Sequence, residues 1–176
     1  MRDLFPDSRA NLQLASGAVL LGGFALGVDQ LLLDEIAAIA LAAPFRHLVT
    51  PGTQRMSVAM TNTGRLGWVS DQRGYRYAAV NPESAQPWPP MPMVFETLAR
   101  DAATAAGFDD FEPEACLINR YEPGARLSLH QDRDERNLDQ PIVSVSLGVD
   151  AIFLWGGLER SDCPRRILLT HGDVVV

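Results

Sequence analysis

The chain has 176 residues, 47% of them apolar, 21% charged and 7% aromatic; this is the composition of one soluble globular domain and excludes a disordered, fibrous or membrane-spanning chain. Fifteen basic against 22 acidic residues leave a net charge of −7, which taken whole argues against a nonspecific nucleic-acid coat and against an anionic membrane surface. Cys116 and Cys163 lie far apart and outside any CxxC pair, so they read as two buried small apolar side chains in a reducing cytosol, not as a zinc site or a disulfide.

From the N-terminus, the charges of Arg2, Asp3, Asp7 and Arg9 cancel, and the apolar run Ala15–Val28 is broken by four glycines. Neither a signal peptide nor a transmembrane helix is expected, which leaves a cytoplasmic protein with no membrane partner. Gly17–Phe24 reads as a short buried strand, and Val28–Ala43 as a helix that starts near Asp29 and closes at Pro44. Asn81–Pro92 holds five prolines and must be a loop; Met93–Ala106 reads as a second helix between Pro92 and Gly107. Beyond Phe111 come short strand candidates at Ala115–Tyr121, Arg126–Asp132, Ile142–Leu147, Ala151–Trp155, Arg166–Thr170 and Asp173–Val176. Helices followed by closely spaced short strands predict an α+β fold with an antiparallel sandwich or jelly roll. The last strand stops at Val176, so it is expected to be an unpaired apolar edge.

The chemistry concentrates in Cys116–Glu135. If Arg126–Asp132 is a strand, Arg126, Ser128, His130 and Asp132 share one face, and on the strand before it Asn119 and Tyr121 share another. An imidazole and a carboxylate two residues apart can grip one divalent metal, as two-thirds of the 2-His-1-carboxylate triad of Fe(II) oxygenases. A surface histidine beside the solvated run Asp132–Glu135 is the competing reading.

The run Asn119-Arg120-Tyr121-x-Pro123-Gly124-x-x-Leu127-x-x-His130-x-Asp132-x-Asp134, followed by Pro141–Gly148, resembles the AlkB family of Fe(II)- and 2-oxoglutarate-dependent dioxygenases that repair alkylated nucleic acid. Met56–Asn62 and Gly64–Trp68 look like that family's nucleotide-recognition region, and the similarity spans essentially the whole chain. The resemblance implies one AlkB-like domain over residues 1–176: a double-stranded β-helix (jelly roll) core at 111–176, N-terminal helices packed on its sheet, and a nucleotide-recognition lid at 45–92. It implies iron ligation by His130 and Asp132, and contact with 2-oxoglutarate by Asn119 and Tyr121, with Arg120 between them. Trp68 and Tyr75-Arg76-Tyr77 match the lid that receives a flipped base and its strand, and Asp134 and Arg160 match residues near the lesion and the backbone. The implied cofactors are Fe(II), 2-oxoglutarate and O2. The implied reaction is demethylation of 1-methyladenine or 3-methylcytosine in DNA, preferably single-stranded, or in RNA, by a monomer, with release of succinate, CO2 and formaldehyde.

Charge supports a nucleic-acid partner locally. All fifteen basic residues are arginines, and Arg46, Arg55, Arg65, Arg73 and Arg76 face only Asp71 between positions 46 and 80, with Trp68, Tyr75 and Tyr77 among them. The acidic residues Asp101, Asp109, Asp110, Glu112 and Glu114 form a run of their own. The family's second histidine ligand, its carboxylate-anchoring arginines and its last sheet strands fall after Val176, and His171 is the sole histidine downstream of Asp132. Two alternatives therefore stand beside a DNA demethylase: a noncatalytic nucleic-acid-binding remnant lacking the third ligand, and an RNA-directed demethylase.

Overall fold

A computed structural model describes residues 9–132, 137–157, 159 and 161–176. In chain order the elements are β1 (Leu12–Ala15), β2 (Ala18–Leu21), α1 (Asp29–Ala42), β3 (Arg46–Val49), β4 (Arg55–Gly64), β5 (Gly67–Asp71), β6 (Gly74–Ala78), α2 (Met93–Ala105), β7 (Ala115–Arg120), β8 (Ser144–Val145), β9 (Ala151–Trp155), β10 (Arg165–Leu169) and β11 (Val174–Val175). No helix among the described residues is long and apolar enough to cross a membrane. Two compact units share these elements: one takes the chain up to Leu31, Thr97–Phe111 and Asp139–Val176, the other Leu32–Glu96 and Glu112–Leu138.

The first unit is a small antiparallel sandwich. One sheet runs β1-β2-β11-β8, and β9 pairs with β10 in register Ile167↔Phe153 and Arg165↔Trp155. Alternation sends Ile167 and Leu169 inward, where they meet Leu14, Leu20 and Val175, with Phe153 and Trp155 packed against them. Ile152, Leu154 and Leu168, one residue out of phase, stay exposed. β11 is no edge: Val174 pairs with Leu21 on one side and with Val145 on the other, and Val174 is fully buried. The expected loose end is instead an inner strand, because β2 from the N-terminal part of the chain supplies the partner that its sequence neighbours do not. Buried Asp173 anchors its start, accepting from the Gly23 and Thr170 amides and the Thr170 hydroxyl and pairing with Arg9 at 3.0 Å.

In the second unit β4 sits between β3 and β7, while β5 and β6 form a separate hairpin. The two sides of that hairpin close two clusters. Val69 packs with Ala43 and Trp88, and Trp68 packs against Leu48, Val58 and Met60 together with Leu117, Ala125 and Leu127. Thr61 donates to the Ala43 carbonyl, which ties the chain beyond the end of α1 to β4.

Both helices lie where periodicity and stop signals put them. α2 ends in a paired C-cap: Phe108 N–H reaches the Ala103 carbonyl, Gly107 N–H reaches Thr104, and Gly107 holds φ +89°. Of the strands expected after Phe111, Ala151–Trp155 has the expected bounds, Arg165–Leu169 is shifted by one residue, β7, β8 and β11 are shorter than expected, and one is not formed. Arg126–Asp132 forms no strand and bends at Leu129, so the alternation expected to put Arg126, Ser128, His130 and Asp132 on one face does not apply. At its start the Ser57 hydroxyl takes both backbone groups of Arg126, accepting from its N–H (3.0 Å) and donating to its carbonyl (2.9 Å). Cys163 is exposed and Cys116 partly buried, where both were expected to be buried; desolvation still pushes the Cys116 thiol up to about 12, which keeps it unreactive.

Candidate active site

The turn Glu122–Ala125, closed by an Ala125 N–H to Glu122 carbonyl bond with Gly124 at φ +87°, turns the chain from β7 into the segment carrying His130 and Asp132. His130 Nδ1 lies 2.6 Å from the Ser128 carbonyl oxygen. A carbonyl only accepts, so Nδ1 carries a proton, and in the neutral ring the lone pair is on Nε2. That Nε2 lies 3.6 Å from Asp132 Oδ1, and both side chains are half-exposed. An imidazole oriented through its other nitrogen and a carboxylate 3.6 Å from its free side are an arrangement able to offer two donors to one metal. Among the described residues no set of three His, Cys, Asp or Glu side chains converges as a metal cluster. His171 is committed elsewhere: its Nδ1 accepts from Gly148 N–H at 2.9 Å and its Nε2 donates to Asp29 at 2.9 Å.

β7 sorts the three residues expected at the cosubstrate. Met60 stands opposite Asn119 and Asn62 opposite Leu117, so Asn119 shares the face of Met60 and Leu117. Asn119 Oδ1 is buried there with no hydrogen-bond partner. A buried amide oxygen without a partner costs free energy on the order of 1–3 kcal/mol, so a polar ligand group or water belongs beside it. Arg120 points the other way. Its guanidinium lies over the Phe45 ring at 4.7 Å and 3.6 Å from Glu122, so the structure does not bring it together with Asn119. Tyr121 follows β7 and is half-exposed.

The β5–β6 hairpin divides the expected lid residues in the same way. Trp68 faces Tyr77, Ser70 faces Tyr75 and Val69 faces Arg76 across the ladder. Trp68 and Tyr75 stack diagonally, centroids 5.5 Å apart and planes 15° from parallel. Arg76 lies on the reverse side, forked onto Asp71 at 2.9 and 2.7 Å, and that guanidinium brings the Asp71 carboxyl down to about 2. So Trp68, Tyr75 and Tyr77 come together and Arg76 does not join them. Two more of the five arginines are held by carboxylates, Arg46 by Glu83 at 2.8 Å and Arg65 by Glu114, so the basic stretch is less open to phosphates than its sequence alone suggested. Arg73 at the hairpin tip is exposed. Asp134 and Arg160 lie outside the described residues.

Comparison with known proteins matches residues 17–176 to the model of the 2OG-Fe(II) oxygenase superfamily. The α-ketoglutarate-dependent dioxygenase AlkB of Escherichia coli strain K12 is 55% identical across the whole of this chain and 82% of that protein. The chain belongs to the AlkB family of 2OG-Fe(II) oxygenases. The nucleic acid dioxygenase ALKBH1 of Mus musculus is 38% identical over 113 residues, 64% of this chain and 28% of that protein. The solved structure of OsALKBH1 superposes with a TM-score of 0.80 at 28% identity, covering 94% of this chain and 81% of that one, so the architecture is the α+β jelly roll of the AlkB family. Family membership makes the protein a dioxygenase that uses Fe(II), 2-oxoglutarate and O2. The donors present fit that set: His130 Nε2 and Asp132 are an N,O pair suited to Fe(II), and the unpartnered amide oxygen of Asn119 is suited to a polar cosubstrate that can donate to it. Reading the sequence missed Ser57, Asn62 and the Ser128 carbonyl, which hold the chain around these groups. Ser57 and Asn62 fall inside the Met56–Asn62 run that resembles the nucleotide-recognition region, but nothing in the sequence marks them as the residues that hold Arg126 and Trp68, and a backbone carbonyl gives no signal at all.

Proposed function

We propose that the chain is an oxidative demethylase of N-alkylated bases, 1-methyladenine and 3-methylcytosine, in DNA, preferably single-stranded, and in RNA. The observation that carries this is the His130–Asp132 pair, with Nδ1 held by the Ser128 carbonyl and Nε2 free 3.6 Å from the carboxylate. Bound iron and 2-oxoglutarate supply the oxidation of the N-methyl group, which leaves as formaldehyde while the cosubstrate becomes succinate and CO2. His130 and Asp132 hold the metal, and the Ser128 carbonyl keeps the imidazole in the ligating tautomer. Asn119 and Tyr121 hold the cosubstrate, Trp68 takes the flipped base on its face, and Tyr75 and Tyr77 line the strand's path, with Asp134 and Arg160 near the lesion and the backbone. A methylated base that cannot pair costs less to flip than an intact one, which favours lesions over normal sequence. In this reading residues 45–92 are the lid, 111–176 belong to the jelly-roll core, and the protein acts as a monomer in the cytoplasm.

The test is demethylation of a short single-stranded DNA, and of the matching RNA, each with one 1-methyladenine, in the presence of Fe(II), 2-oxoglutarate and ascorbate, read by mass. Loss of the methyl group dependent on 2-oxoglutarate is the expected result. Binding of the lesion strand without turnover would favour the noncatalytic reading, and turnover on RNA alone would make the chain an RNA demethylase.

A further inference from the structure

β4 and β5 share no backbone ladder, since β4 pairs with β3 and β7 while β5 pairs with β6. One side chain stands in for the missing rung. Asn62, 2% exposed near the end of β4, accepts the Trp68 N–H on Oδ1 at 2.9 Å and donates from Nδ2 to the Trp68 carbonyl at 3.0 Å. This is the two-bond exchange that a facing residue makes in an antiparallel sheet, made here by an amide side chain to one residue. The backbone before Trp68 approaches closely to allow it: a Cβ on Gly67 would come within 2.4 Å of the Trp88 ring and 2.9 Å of Asn62 Cβ. Ser70, two residues on, donates to the Val49 carbonyl at 2.7 Å and fixes the same side of β5 a second time. With both backbone groups of Trp68 held, its Cα–Cβ direction is set, and the ring keeps one orientation against Leu48, Val58 and Met60 while stacking on Tyr75.

We infer that Asn62 is a positioning residue for substrate: it aims the Trp68 ring at the flipped base by clamping the Trp68 backbone, without touching nucleic acid itself. The inference rests on the reading of Trp68 as the base platform. Only a side-chain amide serves both bonds, because a carboxylate in its place would still accept the Trp68 N–H and would repel the Trp68 carbonyl.

The test is a double-mutant cycle on the full chain, with affinity for a single-stranded DNA pentamer bearing one 1-methyladenine as readout. Fe(II) and 2-oxoglutarate are present, oxygen is excluded, salt is fixed, and the unmodified pentamer is the control. Trp68→Ala alone should weaken lesion binding by about 5- to 150-fold, the range for one base–aromatic stack. Asn62→Ala should weaken it by about tenfold in the parent and hardly at all in the Trp68→Ala background, because there is then no ring left to misplace. A penalty of the same size in both backgrounds, or none in the parent, overturns the positioning role and leaves Trp68 as the platform. Unchanged affinity for Trp68→Ala alone overturns the platform reading and this inference with it. If Asn62→Ala fails to fold, Asn62→Asp, nearly isosteric but exchanging the donor for a carboxylate charge, runs the same cycle, with the loss on the unmodified pentamer subtracted as the effect of that charge and the same outcomes deciding on the lesion-specific part.

Discussion

Removing the Asp132 carboxylate tests the metal pair most directly. Two donors about 2.1 Å from one metal and at right angles lie about 3.0 Å apart, so closing the observed gap needs a shift of only about 0.6 Å. The observed separation is 3.6 Å between His130 Nε2 and Asp132 Oδ1. A side-chain rotation of Asp132 supplies that shift and leaves the His130 contact with the Ser128 carbonyl undisturbed. Loss of an outer-shell partner typically costs 10–100-fold in metal affinity, so loss of the ligand itself should exceed about 100-fold. Fe(II) affinity of Asp132→Ala, measured by anaerobic calorimetry, should fall by more than that factor, and succinate formation at saturating 2-oxoglutarate should stop. His47→Ala is the control, since His47 only bonds the Met56 carbonyl through Nδ1; it should leave iron affinity unchanged. An Asp132→Ala chain whose iron affinity stays within about tenfold of the parent would refute the assignment of this pair.

Arg73→Ala should reduce the log–log salt slope of oligonucleotide binding by about 1, whereas Arg76→Ala, whose guanidinium is already forked onto Asp71, should leave the slope unchanged; a salt titration of both decides. Asp173→Ala should cost on the order of 3–5 kcal/mol in denaturant unfolding at neutral pH, because it strands Arg9 and two amides that it satisfies in a buried site. Burial opposes the Asp173 charge, but bonds from Thr170 and Gly23 and the charge of Arg9 outweigh it, so its folded pKa lies below the unfolded value. Its stabilisation is therefore present above about pH 3.9 and lost as pH falls through the folded pKa, and Asp173→Asn should remove that acid-side slope. Gly107→Ala should cost about 1 kcal/mol by thermal denaturation, since Gly107 holds φ +89° in the α2 C-cap.

Most of the skeleton was legible because it obeys local rules. The apolar spacing of Val28–Ala43 and the Pro92 and Gly107 punctuation placed both helices to within one residue. The composite motif around His130-x-Asp132 carried the family. What failed to show was everything set by distant pairing. Asp173–Val176 looks like an edge until β2 arrives from more than a hundred residues upstream, and β3 to β6 lie in a stretch legible only by family resemblance, charge and aromatics, with no strand expected there. Arg46 and Arg65 look like open cations in the sequence because Glu83 and Glu114, which hold them, lie outside residues 46–80.

The same limit explains how the site residues divide. Asn119-Arg120-Tyr121 and Tyr75-Arg76-Tyr77 read as contiguous clusters, yet in a strand the middle residue of three points away from its neighbours. Arg120 goes to Phe45 and Arg76 to Asp71, each on the face opposite the group it accompanies in sequence. What gathers the remaining residues is β4, through two polar side chains. Ser57 holds the Arg126 backbone, and with it the segment that ends at His130 and Asp132; Asn62 holds the Trp68 backbone. Leu127 and Trp68 then pack against the same Leu48, Val58 and Met60 cluster, so the segment proposed to bind metal and the proposed base platform are referenced to one strand. A substitution at Ser57 should accordingly act on iron affinity and one at Asn62 on lesion affinity, although neither side chain touches metal or base.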